Sequence, residues 1–293
     1  MNPEKILLGN DFIKAEVKLQ GAELSSVLFN GIEYMWQADP QFWNRHSPIL
    51  FPTVGSLIDN TFYVAGIPYH LPQHGFGRNS DFSLVEKTGN SAKFLLQSNE
   101  DTLKVYPFQF ELYISYMLEG QTIQVTYEVK NPSEKEIYFG IGGHPGFNCP
   151  LDPRSENFED YVIDFHDESD SKELYKLEGV YLAKGKYSLD INKGHLDLDY
   201  GLFANDALII DTLPPAKISI KSKKTGAGVS MEYGDFKWLG IWTRGKGARY
   251  VCLEPWNGIA DQLGHNQQFE EKLGTNRLAA GGTYTASYRV EFF

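Results

Sequence analysis

From Phe108 to Leu118 the chain reads FQFELYISYML, and from Thr122 to Lys130 it reads TIQVTYEVK. Both runs alternate apolar, β-branched or aromatic residues with polar ones, the period of a strand with one buried face. Gly120 and Gln121 lie between them, which predicts an antiparallel hairpin. Asn30-Gly31, Ala65-Gly66 and Gly89-Asn90 repeat the hairpin signal. Strand-like runs recur at Phe12–Leu19, Lys93–Gln97, Glu136–Ile141, Ala207–Ile210, Lys217–Lys221, Gly228–Tyr233, Trp238–Trp242, Tyr250–Leu253 and Thr283–Phe292. Helical periodicity is scarce. Asn99–Tyr106 is the best short-helix candidate, and Pro107 stops it. Many strands, tight turns and no βαβ rhythm predict an all-β fold, a large antiparallel sandwich. With no internal repeat or low-complexity linker, residues 1–293 read as a single domain.

Charge narrows the function classes. Lys and Arg total 27 against 38 Asp and Glu, a formal charge of −11. Phosphates would be repelled at that balance, and Lys221, Lys223 and Lys224 form the one basic cluster, so nucleic acid is not an expected partner. Residues Leu151–Tyr200 are the most acidic, with 13 acids against 6 bases, yet Tyr161-Val162-Ile163 and Tyr181-Leu182 interrupt them. That stretch reads as a solvated edge of the domain. No apolar run is long enough for a membrane span or a signal-peptide core. The two cysteines, Cys149 and Cys252, form no Cys-x-x-Cys pair, and two free thiols in a cytoplasmic setting are expected. An acidic surface selects neither a monomer nor a dimer.

Candidate chemistry collects in four clusters rich in Gly and Pro: Arg45-His46-Ser47-Pro48-Ile49-Leu50-Phe51-Pro52, His74-Gly75-Phe76-Gly77-Arg78, Gly142-Gly143-His144-Pro145-Gly146-Phe147-Asn148, and Cys252-Leu253-Glu254-Pro255-Trp256. His144 and Glu254 each precede a proline, whose ring forces the preceding residue into an extended conformation. That predicts side chains projecting from strand ends or loops. Gly142 and Gly143 lack a Cβ, so backbone or a ligand can approach His144 closely. Apolar neighbours Leu253, Pro255 and Trp256 should desolvate Glu254 and raise its pKa toward that of a useful base.

The combination HGFGR, GGHPGFN and CLEPW, preceded by the Arg45 segment, resembles the aldose 1-epimerase (galactose mutarotase-like) superfamily. The similarity is greatest to its short branch of LacX-type proteins and hexose-6-phosphate mutarotases. It runs from Trp36 to Trp256 with the motifs in family order. The resemblance implies a β-supersandwich and interconversion of α and β anomers of an aldose, a small-molecule sugar substrate, without cofactor or metal. It implies His144 as general acid and Glu254 as general base, with Arg45 and His74 binding the sugar. Asp206 is the candidate for a carboxylate at the ring hydroxyls, and Arg78 for a group at the pocket rim. There Arg78 would meet a phosphate or the far hydroxyls of a free sugar, unless it pairs with an acid such as Asp81. Trp36, Phe147 and Trp256 are candidates to stack on the sugar's C–H face.

Other readings remain open on the residues alone. His74, His144 and Glu254 would make a two-His, one-carboxylate metal set. A glycosidase would need a second carboxylate, which Asp206 or Asp261 could supply. A non-catalytic sugar-binding module would have no need of His144 and Glu254 together. His46, His70, His166, His195 and His265 read as ordinary structural histidines.

Overall fold

The computed structural model describes residues 5–214 and 216–293. Among them, alternation translates into antiparallel sheet almost throughout. The run at Phe108–Leu118 forms the strand Glu111–Glu119, whose residues pair in register with Thr122–Lys130 through Glu119↔Thr122. This hairpin sits inside a nine-stranded sheet beside the C-terminal strand Thr283–Phe292. A second large sheet has the order Tyr181–Asp190, Ser171–Glu178, Leu208–Asp211, Trp238–Trp242, Tyr250–Asn257, Ile141–Gly143 and Ile49–Leu50, with Gly146–Asn148 also pairing to Tyr250–Asn257. Their facing sides share one core, in which Val125, Tyr127 and Tyr288 of the first sheet join Ile141, Ile241 and Leu253 of the second. The fold is the large antiparallel β-sandwich that the alternation predicts. The one α-helix among the described residues, Glu100–Val105, is capped by the Asn99 side chain and ends before Pro107.

The acidic stretch supplies edges to both sheets. Tyr161–Asp164 and His195–Asp197 end the nine-stranded sheet, and the hairpin Ser171–Glu178/Tyr181–Asp190 ends the other. The nearby lysines answer it: Lys221 bonds Asp164 at 2.8 Å, Lys223 Asp197 at 2.9 Å and Lys224 Asp160 at 2.6 Å.

One element departs from expectation in a way that matters. The strand beginning at Tyr250 does not stop at Leu253 but runs through Pro255 to Asn257, so Glu254 lies in mid-strand rather than at a strand end. Proline is rare in a central strand because it has no N–H to give. Here Leu253 donates to Pro145 O at 3.2 Å, so the missing donor two residues on faces the same side, where the partner strand is itself broken at His144-Pro145.

Candidate active site

Along Tyr250–Asn257 odd and even residues face opposite ways. Val251 and Leu253 join the core between the sheets, while Tyr250, Cys252 and Trp256 belong to clusters on the sheet's other face. Glu254 shares that second face, where a cavity of about 330 Å³ opens.

Register then selects its partner. Gly142 pairs with Trp256 and Gly146 with Cys252, which sets His144 directly opposite Glu254 across the break. Gly240 flanks Glu254 on its other side, and Ile209 flanks Gly240. Ile209, Gly240, Glu254 and His144 thus form one lateral row, of which Ile209, Glu254 and His144 line the cavity. His144 Nε2 lies 3.1 Å from Glu254 Oε2, with both residues buried. Burial drives the pair toward neutrality from both ends. Desolvation, aided by the charge of Asp206, raises Glu254 well above the ordinary carboxyl value, and the nearby indole N–H of Trp256 opposes this without reaching hydrogen-bond geometry. Desolvation lowers His144 to about 3, with Arg78 and Arg45 adding to the effect. Burial thus favours two neutral groups over a fixed ion pair, and the 3.1 Å contact falls short of hydrogen-bond geometry. The desolvation anticipated for Glu254 comes from Trp256 and the cavity wall, since Leu253 faces the opposite side.

His74 meets the pair edge-on, its ring centroid 5.8 Å from that of His144. Its φ of 66° is an uncommon backbone conformation, held by an exchange of hydrogen bonds with Gly55. Gly55 N–H donates to His74 Nδ1, which places the ring proton on Nε2. Arg78 lines the cavity. One guanidinium nitrogen is tied to Gln73 O at 2.7 Å, and Nε is buried without a protein partner. Among the described residues no ion pair to Asp81 or any other acid forms. Asp206 stands exposed at the cavity mouth, its carboxyl raised by partial desolvation that the Arg244 charge offsets in part. Arg45 alone of the proposed site residues does not line the cavity. Its guanidinium bonds Asn79 Oδ1 at 2.7 Å and reaches Arg78 O at 3.4 Å, so it braces the turn that carries Arg78.

The aromatic walls differ from the expected set. Trp256 lines the cavity, but Phe147 is core and Trp36 lies behind the wall, donating from Nε1 to Trp43 O at 2.8 Å. The cavity surface instead carries Trp43, stacked on His144 with centroids 4.7 Å apart, and Trp242, edge-on to His144 at 5.7 Å. Trp43 precedes Arg45 by two residues and Trp242 precedes Arg244 by two, a pairing of indole and guanidinium that sequence reading passed over. The glycines before His144 serve a purpose other than ligand access. A Cβ on Gly142 would fall 2.6 Å from the Trp256 ring, and one on Gly143 2.7 Å from the Tyr127 hydroxyl in the opposite sheet. They let an indole and the sandwich core close around the His144 backbone.

The candidate metal set regroups. His74 Nδ1 is engaged by Gly55, and the donor atoms that cluster within 4.8 Å belong to His144, Cys252 and Glu254. Cys149 lies in the main core and Cys252 in the cluster beneath Trp43, both buried and free. Asp261 is consumed structurally, accepting from Ile58 N at 2.8 Å and pairing with buried Lys272 at 3.1 Å. Among the described residues, no helix is long and apolar enough to cross a membrane.

Known proteins match this chain over nearly its whole length. The family model for aldose 1-epimerase matches residues 4–276. Protein LacX, chromosomal, of Lactococcus lactis subsp. lactis is 34% identical over 294 residues, covering 97% of this chain and 98% of that protein. The structure of a galactose mutarotase related enzyme from Lactobacillus acidophilus superposes with a TM-score of 0.94 at 36% identity, over 99% of this chain and 97% of that one. A galactose mutarotase-like protein from Lactobacillus casei ATCC 334 gives 0.91 at 30% identity, over 99% and 100% of the two chains. With matches of this extent, and with His144 and Glu254 facing each other at the floor of a polar cavity, the chain belongs to the aldose 1-epimerase family and has its galactose mutarotase-like fold.

Proposed function

We propose that this protein is an isomerase that interconverts the α and β anomers of an aldohexose by acid–base ring opening and reclosure. The observation that carries the reading is the buried His144–Glu254 contact of 3.1 Å at the cavity floor. In the reacting form the pair's one proton sits on His144 and Glu254 is a carboxylate, so Glu254 takes the proton of the anomeric hydroxyl while His144 delivers its proton to the ring oxygen. The electron pair of the breaking C1–O5 bond moves to O5 as the O1–H pair forms the carbonyl. Rotation about C1–C2 presents the other carbonyl face, and the transfers run in reverse. A pair holding one mobile proton suits this sequence, because every proton removed is returned within the same turnover. His74, as a fixed Nε2–H donor, hydrogen-bonds the sugar. Asp206 and Arg78 meet its hydroxyls at the mouth, and Trp43, Trp242 and Trp256 give its C–H faces an apolar wall. Arg45 acts by positioning the Arg78 turn. The whole chain works as one domain, since its main core draws on residues from Ile6 to Phe292.

A second reading, a hexose 6-phosphate as substrate, is supported by Arg78 and Arg244 both lining the cavity. Anomer exchange measured by NMR on free and phosphorylated aldoses tests both. The proposal expects acceleration by the wild type and a loss of ~10²–10⁴ in Glu254→Gln and His144→Ala. A wild type that binds sugar without accelerating exchange would reduce the protein to a carbohydrate-binding module, and variants that keep an accelerated wild-type rate would remove His144 and Glu254 from the reaction.

A further inference from the structure

Behind the cavity wall, against the His144–Glu254 pair, lies one side chain that the proposed reaction leaves unused. Cys252 precedes Glu254 by two residues on the same strand face, fully buried with Tyr250 and Trp36. Its Sγ, a ring nitrogen of His144 and a carboxylate oxygen of Glu254 lie within 4.8 Å of one another. Ligand atoms held ~2.0–2.3 Å from a tetrahedral zinc stand a little over 3 Å apart, so small side-chain rotations close the set. Thiolate, imidazole and carboxylate are the donors zinc accepts, and three protein ligands leave a fourth position for water or a ligand. Two of the three donors, His144 and Glu254, line the cavity. Glu254 Oε2 is buried without a hydrogen-bond partner in the protein, so it is free to coordinate.

We propose that Cys252, His144 and Glu254 form an inhibitory site for zinc and similar thiophilic divalent ions, which enter by the sugar cavity and occupy it in place of substrate. The inhibitory role rests on His144 and Glu254 being the acid–base pair; the binding does not. On binding, the Cys252 S–H proton passes to water as the metal–sulfur bond forms, and no electron is transferred. Ligation also withdraws the two groups that would share the catalytic proton, so inhibition is complete at saturation.

Titration of the full chain with cobalt(II) reads the site without turnover, because a thiolate–cobalt bond gives a near-ultraviolet charge-transfer band that nitrogen and oxygen ligands lack. One equivalent should bind with that band, zinc should abolish it, and a high concentration of glucose or galactose should weaken binding. Cys252→Ser should remove the band and weaken zinc binding by more than about 100-fold, beyond the ~10–100-fold typical of losing an outer-shell partner. Cys252→Ala provides a second variant, with circular dichroism verifying the fold of each. The zinc concentration for half-inhibition of anomer exchange, scaled to each variant's own rate, should rise by the same factor. Absence of the thiolate band, zinc affinity in both variants unchanged from wild type, or undiminished exchange in the zinc-saturated protein would each overturn the proposal. A protein that binds cobalt with the band but shows no anomer exchange would refute the reaction, and with it the inhibitory role, while leaving the metal site established.

Discussion

Gly55 donates its N–H to His74 Nδ1 at 3.1 Å, and His74 returns its own N–H to the Gly55 carbonyl at 3.0 Å. This exchange fixes both the backbone conformation and the tautomer, and burial with the neighbouring His144 keeps the His74 ring neutral. A neutral imidazole acceptor-bonded at Nδ1 presents a hydrogen-bond donor at Nε2.

Replacing that donor should weaken catalysis without abolishing it. His74→Ala should lower kcat/KM for anomer exchange by roughly 10–100-fold, the range for losing one hydrogen bond in a desolvated site. His74→Gln, which keeps an N–H donor near the Nε2 position, should recover part of that loss. Equal losses in the two variants would show that the ring acts through packing.

The buried pair makes stability depend on pH in two opposing windows. Glu254 has a folded pKa raised above its ordinary 4.5, so the folded state holds the proton more tightly and stability falls as pH rises through the raised value. Glu254→Gln cannot ionise, and its Tm relative to wild type should climb as pH rises above the ordinary carboxyl value of 4.5. His144 is lowered to about 3 from 6.5, so the unfolded chain takes up that proton first and stability is lost as pH falls through this range. A non-titrating residue at 144 should remove that acid sensitivity. A wild type and a Glu254→Gln variant whose Tm curves run parallel would refute the first assignment. In kinetics, the pair loses its one proton as pH rises through the raised Glu254 value, so kcat/KM should show an alkaline limb that is absent in Glu254→Gln.

The Trp256 indole lies across the sheet between two glycines. A Cβ on Gly240 would come within 2.5 Å of two of its ring carbons, and one on Gly142 within 2.6 Å of a third. Gly240→Ala must therefore displace the indole from the cavity wall beside Glu254. We expect a stability loss of about 1–3 kcal/mol, the usual range for overpacking, accompanied by reduced anomer exchange and an altered near-ultraviolet dichroism of tryptophan. A variant as stable and active as its parent would show that the wall yields without consequence.

Arg78 should discriminate between substrates. Desolvation and the neighbouring Arg45 lower its guanidinium to about 10, which leaves it charged at neutral pH. With a free hexose it meets only hydroxyls, and Arg78→Ala should change KM modestly, by less than ~10-fold. A far larger effect on glucose 6-phosphate, with the phosphorylated sugar the better wild-type substrate, would assign phosphate to this rim.

Strand identity was legible in the sequence because side-chain alternation is a local property, set by which residues a half-buried strand can tolerate. The period at Thr122–Lys130 is visible within nine residues and survives intact in the sheet. His144 and Glu254 were legible as chemistry because each stands in a short motif whose glycines and prolines have local conformational consequences. Register was not legible. Nothing local states that residue 144 lies opposite residue 254, and that pairing alone brings two lone ionisable residues to within 3.1 Å in a buried site. The same limit hid Trp43 and Trp242, whose indoles become cavity walls only when strands distant in sequence meet at His144. It also placed Arg45 behind the site rather than in it. Sequence determined which segments are strands and which residues can do chemistry, because those follow from side-chain type and near neighbours. Tertiary structure decided which of those residues meet, which are desolvated and which merely brace the others, because burial and proximity are set by contacts between segments far apart along the chain.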